Sequence, residues 1–99
     1  MKKQIRFSEL SRADLKEIYL YIASDSPIRG RQLMVEITQC CEQTLAEYPE
    51  LGKIRPDIYT GVRSFVFKRH TIFYREVDDA IEIIRILHGS RDVDSAFLL

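Results

Sequence analysis

GVRSFVFKRHTIFYREVDDAIEIIRILHGSRD, residues 61–92, decides the fold of this chain. Its β-branched and aromatic residues fall into three runs, at 62–67, 71–77 and 80–88, divided by Lys68-Arg69-His70 and by Asp78-Asp79. Runs of this length between polar turns predict three consecutive antiparallel strands. Charge is sorted along them. Arg63, Lys68, Arg69 and Arg75 come with no carboxylate among them, and Glu76, Asp78, Asp79 and Glu82 then gather around one turn. A sheet with a basic end and an acidic end suits a recognition surface or an anionic ligand.

Register sharpens the expectation. If Asp78-Asp79 is a two-residue loop, Val77 faces Ala80, Arg75 faces Glu82 and Phe73 faces Ile84. An Arg75–Glu82 cross-strand pair helps fix that register. The same register puts Phe73, Ile84 and Ile86 on one face, and Ile72, Tyr74, Ile83 and Leu87 on the other. Both faces are then apolar. A pair of helices can cover one. The second needs a partner protein, or a cover from residues 53–60 or the C-terminal tail.

Upstream, Gln4-Ile5-Arg6-Phe7 alternates as a short strand. Ser8 or Ser11 can cap a helix, and Ser11-Arg-Ala-Asp14 has the form of a capping box with Asp for Glu. Leu15, Ile18, Tyr19 and Ile22 make one helical stripe. Ser26 and Pro27 suit the N-cap and first position of a second helix running to about residue 48, with Gly30, Leu33, Met34, Ile37, Cys41, Leu45 and Tyr48 along one face. The order βααβββ predicts an α+β domain spanning 1–99, an N-terminal helix hairpin on a mostly antiparallel sheet.

Composition narrows the function. The 99 residues carry 15 basic and 15 acidic side chains, a net charge of zero, which argues against indiscriminate coating of nucleic acid. The basic N-terminus has no apolar core behind it, so it does not read as a signal peptide, and no stretch approaches a membrane span. A cytoplasmic protein is the expectation. Cys40 and Cys41 are adjacent, without metal-site spacing, and read as one core and one boundary residue; no motif for a metal, cofactor or small-molecule substrate is present.

Strand 80–88 returns toward the first hairpin, which brings His88 and Arg91 toward Lys68, Arg69 and His70. Histidine can move a proton near neutral pH and arginines can hold a phosphate. RNA cleavage by 2′-hydroxyl attack needs those roles and no metal. The alternative is a set of solvated hairpin cations. Arg63 and Arg85, in mid-strand, read as surface residues or ion-pair partners.

Five segments in order carry a family likeness: ADLKEIYLYI (13–22), YPELGKIR (48–55), GVR (61–63), HTIFYR (70–75) and IRILHGSRD (84–92). With them the chain resembles the ParE branch of the RelE/ParE toxin superfamily. The resemblance implies the toxin of a type II toxin–antitoxin module, acting on DNA gyrase in its complex with DNA and silenced by a cognate antitoxin in a hetero-oligomer. RelE-like relatives share the fold and cut mRNA on the ribosome. Where ribonuclease members carry an arginine shortly before the Tyr-bearing segment, Thr71 stands here; Arg91 matches their arginine after the glycine; the tail supplies no tyrosine, leaving His88 as a substitute. The resemblance therefore points to a non-enzymatic gyrase poison. For such a toxin, target contact is expected at the basic end and the apolar tail, Arg63, Lys68, Arg69, Arg91, Phe97, Leu98 and Leu99, and antitoxin contact at Ile72, Tyr74, Ile83 and Leu87 or the opposite face. The alternatives are a ribosome-dependent endonuclease using Arg63, His88 and Arg91, or a weak toxin serving mainly as an antitoxin-binding co-repressor.

Overall fold

The computed structural model of the chain describes residues 2–89 and 93–97. In order they form β1 (Gln4–Phe7), α1 (Glu9–Ala23), α2 (Pro27–Gln39), β2 (Lys53–Ile54), β3 (Arg63–Phe67), β4 (His70–Val77), β5 (Ala80–His88) and α3 (Val93–Phe97). The strands make one sheet ordered β1-β5-β4-β3-β2. All neighbours are antiparallel except β1, which lies parallel to β5 at the edge. A helix hairpin on a mostly antiparallel sheet is thus the architecture, with β2 and α3 added to the expected βααβββ.

Local chemistry sets the helix ends. Ser8 caps α1, its hydroxyl oxygen accepting from the Ser11 amide at 3.0 Å. The capping box expected at Ser11–Asp14 does not form. The Ser11 hydroxyl donates to the Ser8 carbonyl at 2.9 Å, and Asp14 turns to the sheet instead. Ser26 and Pro27 open α2 as anticipated. Gly30 is where the two helices touch, since a Cβ there would lie 3.2 Å from the Ala23 Cβ and the Tyr19 ring. After Gln39 the helix widens into π-helical turns over Cys40–Leu45, closed by a bond from the Ala46 amide to the Cys41 carbonyl at 3.1 Å. The chain therefore leaves the helix early, and Tyr48 is exposed rather than on its buried face. Both Cys40 and Cys41 are core residues, and burial pushes the Cys41 thiol up to about 12.

The register holds at the acidic turn and shifts beyond it. Val77 faces Ala80, Arg75 faces Glu82 and Tyr74 faces Ile83, and the Arg75–Glu82 pair closes at 3.0 Å. The next pair is Phe73–Arg85, because Ile84 is an extra residue bulged out of β5. Alternation changes phase there, which corrects the face assignment. Ile81, Ile83 and Ile86 join Ile72 and Tyr74 beneath the helices, while Ile84 and Leu87 join Phe73 on the opposite face.

That opposite face is covered by the chain itself. Ile58, from the segment before β3, and Phe97, from α3, pack with Val62, Phe73 and Leu87. The Phe97 ring meets the Phe73 ring edge-on at 5.1 Å between centroids. Ile72, Tyr74, Ile83 and Leu87, expected to meet an antitoxin, are all buried within this fold, so a partner cannot reach them without displacing α1 and α2 or α3.

β1 ends at Phe7 while β5 continues, and α1 takes its place as the neighbour of β5. The Ser8 amide donates to the Ile83 carbonyl at 3.0 Å, the Ser8 hydroxyl to the Ile84 carbonyl at 2.7 Å, and the Ile86 amide to Asp14 at 3.0 Å. Backbone groups that an ending strand would orphan are satisfied in this way.

Candidate functional site

A cleft of about 500 Å³ lies where α1 crosses the end of the β4–β5 pair. Ile18, Tyr21, Ile22 and Ile86 form its apolar part. Asp14, Glu17 and Arg69 bring charge, and His70 and His88 stand together on the sheet side. The hairpin creates this pairing. Lys68 and Arg69 make a two-residue turn, with Lys68 held at φ +56°, so His70 opens β4 directly opposite His88 on β5. Their rings meet edge-on, 5.5 Å between centroids.

The two histidines differ in surroundings. His88 is exposed, whereas His70 is buried, and among the described residues its Nδ1 has no hydrogen-bond partner. Burial, and secondarily the neighbouring His88, lowers the His70 pKa, so its imidazole is neutral at pH 7. A neutral imidazole, a second imidazole and a guanidinium can together hold an anionic group and move a proton. Asp14 does not orient them, since both its oxygens serve Arg85 at 2.8 Å. Among the described residues no group of three or more His, Cys, Asp or Glu side chains converges on a metal position.

The structure separates several residues that the sequence grouped. Arg69 and His88 share the cleft, and Lys68 stands on the turn with its ammonium 2.6 Å from Glu36. Arg63 lies at the far end of β3, roughly 17 Å of strand away. There its Nη1 donates to the Gly52 carbonyl at 2.9 Å and the Glu50 carbonyl at 3.3 Å. Phe97 is buried in the second core. Arg91, Leu98 and Leu99 fall outside the described residues. Arg85 proves to be a buried ion-pair partner, and the hydrogen bonds it donates to Asp14 raise its pKa further.

Sequence reading missed Glu17, Tyr21 and Ile22 as cleft residues. The signal was present: Asp14, Ile18, Tyr21 and Ile22 recur at helical spacing on one side of α1, and a carboxylate inside that stripe marks a buried partner. The role of residues 48–55 was also missed. The Tyr74 hydroxyl donates to the Pro49 carbonyl at 2.7 Å and accepts from the Gly52 amide at 2.8 Å, pinning the turn that leads into β2.

Residues 5–93 match the family model for the ParE toxin of the type II toxin–antitoxin system parDE. The chain belongs to the ParE toxin family. Within known proteins, this ParE-family chain is similar to Toxin ParE3 of Caulobacter vibrioides, 26% identical over 89 residues that cover 90% of this chain and 88% of that protein. Its fold is that of the chromosomal ParDE toxin–antitoxin system of P. aeruginosa, at a TM-score of 0.72 and 22% identity, covering 88% of this chain and 96% of that one. The toxin–antitoxin complex RelBE2 of Mycobacterium tuberculosis is nearly as similar in shape, with a TM-score of 0.70, 21% identity, and coverage of 89% and 99%. Among the described residues of this ParE-family toxin no helix is long and apolar enough to cross a membrane.

Proposed function

We propose that this ParE-family toxin poisons DNA gyrase by binding its DNA-cleaved state and opposing religation, and that a cognate antitoxin holds it silent. The family match across residues 5–93 carries the reading. The antitoxin is supported by the two solved neighbours, described as a ParDE system and a RelBE2 complex. Lys68 and Arg69, both exposed on the β3–β4 turn, are the target-contact residues that remain accessible among those described. Arg63 contributes instead by holding the 50–52 turn through its carbonyls.

The test uses purified gyrase, relaxed plasmid and ATP. Inhibited supercoiling, or accumulated cleaved plasmid, is expected; full supercoiling at tenfold excess of toxin would sink the proposal.

One observation favours a second reading, a ribosome-dependent endonuclease: Arg69, His70 and His88 share one cleft. Translating ribosomes with the toxin and a defined mRNA separate the two, since only the second reading yields cuts within the message.

A further inference from the structure

Three large apolar side chains stand in water on the segment that leads into β2. Tyr48, Leu51 and Ile54 are 55%, 51% and 58% exposed. They recur at every third residue. Pro49–Leu51 is a 3-10 turn, closed by the Leu51 amide donating to the Tyr48 carbonyl at 3.1 Å, and residues three apart in such a turn project from the same side. Ile54 follows on β2 and, with Pro49, Val62, Arg63 and Tyr74, lines a concavity of about 400 Å³ beside the turn.

The sheet holds this turn from beneath. The buried Tyr74 hydroxyl bonds the Pro49 carbonyl and the Gly52 amide, and Arg63 bonds the Glu50 and Gly52 carbonyls. The anchors are internal, yet the three side chains they display belong to neither buried cluster. Core packing therefore does not account for them. A turn fixed in this way loses little conformational freedom when another surface covers it, which favours binding.

We propose that this turn is a contact surface for the target protein: an apolar side chain of the target enters the concavity beside Ile54, Tyr48 and Leu51 pack around it, and a target carboxylate meets the exposed Lys53. The assignment rests on the gyrase reading above and deepens it, by adding an apolar protein contact to the basic β3–β4 turn. The two lie at opposite ends of β3, roughly 17 Å apart, within the span of one ordinary protein interface. Nucleic acid fits less well, because Glu47 and Glu50 flank the patch and repel a polyanion. A second copy also fits less well. Arg55 bonds Val62, so the Ile54 amide and carbonyl point to the open edge of β2. An antiparallel copy centred on Ile54 sets Lys53 against Arg55, and one centred on Lys53 sets it against itself. Pro56 then supplies no donor to extend the ladder.

The test is the toxin concentration that half-inhibits supercoiling of relaxed plasmid, read beside gyrase affinity by surface plasmon resonance, for wild type, Leu51→Glu, Ile54→Glu and the double variant. Leu10→Glu on α1 and Val35→Glu on α2, at 57% and 54% exposure, are the controls. Each patch variant raises both readouts about tenfold and the pair about a hundredfold, whereas the controls shift them less than twofold. Leu51→Ser and Ile54→Ser lose binding without adding charge, which separates lost apolar contact from repulsion. Because the substituted side chains are exposed, thermal unfolding stays within about 2 °C of wild type. Affinity for the protein encoded beside the toxin, read by titration, is unchanged. Unchanged inhibition and gyrase affinity in the double variant overturn the surface and leave the gyrase reading intact. A wild type that neither binds nor inhibits gyrase overturns both. Loss of antitoxin affinity in the double variant overturns the surface in favour of the antitoxin. A concentration-dependent dimer that Ile54→Glu abolishes does so in favour of a second copy, and binding of duplex DNA alone, lost in the same variants, in favour of nucleic acid.

Discussion

Asp14 and Arg85, 71 positions apart in sequence, meet as a two-pronged ion pair with both contacts at 2.8 Å and both residues at least nine-tenths buried. The same carboxylate accepts from the Ile86 amide, and the third Arg85 donor reaches the Ala96 carbonyl at 2.6 Å. One pair therefore joins α1, β5 and α3. Removing one member leaves a buried charge alone, so Arg85→Ala or Asp14→Ala costs about 3–5 kcal/mol. That is a large share of the roughly 5–15 kcal/mol that a domain of this kind possesses. Urea unfolding measures it. The double variant Asp14→Leu/Arg85→Leu recovers part of the loss, since it removes both charges but strands the Ile86 amide and the Ala96 carbonyl.

A second expectation concerns Tyr74 and Gly52. The tyrosine hydroxyl bonds both sides of the turn, and a Cβ at Gly52 would collide with that hydroxyl and the ring behind it. Tyr74→Phe leaves two buried backbone groups unpaired and costs about 1–3 kcal/mol. Gly52→Ala overpacks the same spot at comparable cost. Combined, the changes cost less than their sum, because deleting the hydroxyl removes the closest contact. Thermal denaturation of the three variants checks this.

His70 gives the stability a pH dependence of fixed sign. Its folded pKa lies below the unfolded value near 6.5, so the unfolded chain binds the extra proton first. The contribution is fully present above pH 6.5 and declines as pH falls from there toward the folded pKa, with a slope of at most about 1.4 kcal/mol per unit. His70→Gln removes that slope. Chemical denaturation at pH 7.5, 6.5 and 5.5, on both proteins, tests it; equal slopes would contradict it.

Asp78 sits at φ +58°, in the left-handed region that side chains disfavour, and among the described residues its carboxylate has no ion pair. Asp78→Gly therefore stabilises the chain by a few tenths to about 1 kcal/mol. An unfolding midpoint that falls instead would show that the Asp78 side chain contributes more than its backbone costs.

How far the sequence was legible depended on the range of the interactions. Runs of β-branched residues, Ser26-Pro27 and the Arg75–Glu82 pair are local, and they determined the helix hairpin and the acidic turn correctly. Long-range satisfaction was not legible. Nothing near Asp14 in sequence announces Arg85, and nothing near Tyr74 announces the carbonyl of Pro49. The cover over the second sheet face was half legible: Ile58 and Phe97 lie in the two segments the sequence offered for it, 53–60 and the tail, but no periodic pattern marks the residues themselves. Arg63 was misgrouped because charge sorting along a chain ignores the length of the strand between two cations. His70 and His88 were brought together correctly, since hairpin geometry alone decides that meeting.

The bulge at Ile84 gives β5 two phases. Up to Ile83 the odd-numbered residues point to the helices, and from Ile86 onward the even-numbered ones do. One extra residue thus lets a single strand keep both of its ends in step, the Arg75–Glu82 pair at one and His70–His88 at the other. The strand tolerates change of kind better than change of count. Swapping Ile86 for Val alters one contact by a methylene, but deleting Ile84 removes the bulge: Ile86 and Leu87 keep their places opposite Ile72 and Thr71, while Arg85 takes the position of Ile84 beside Phe73 and turns away from Asp14. Any relative with one residue fewer in this strand can keep those apolar positions but must find its α1 carboxylate another cation.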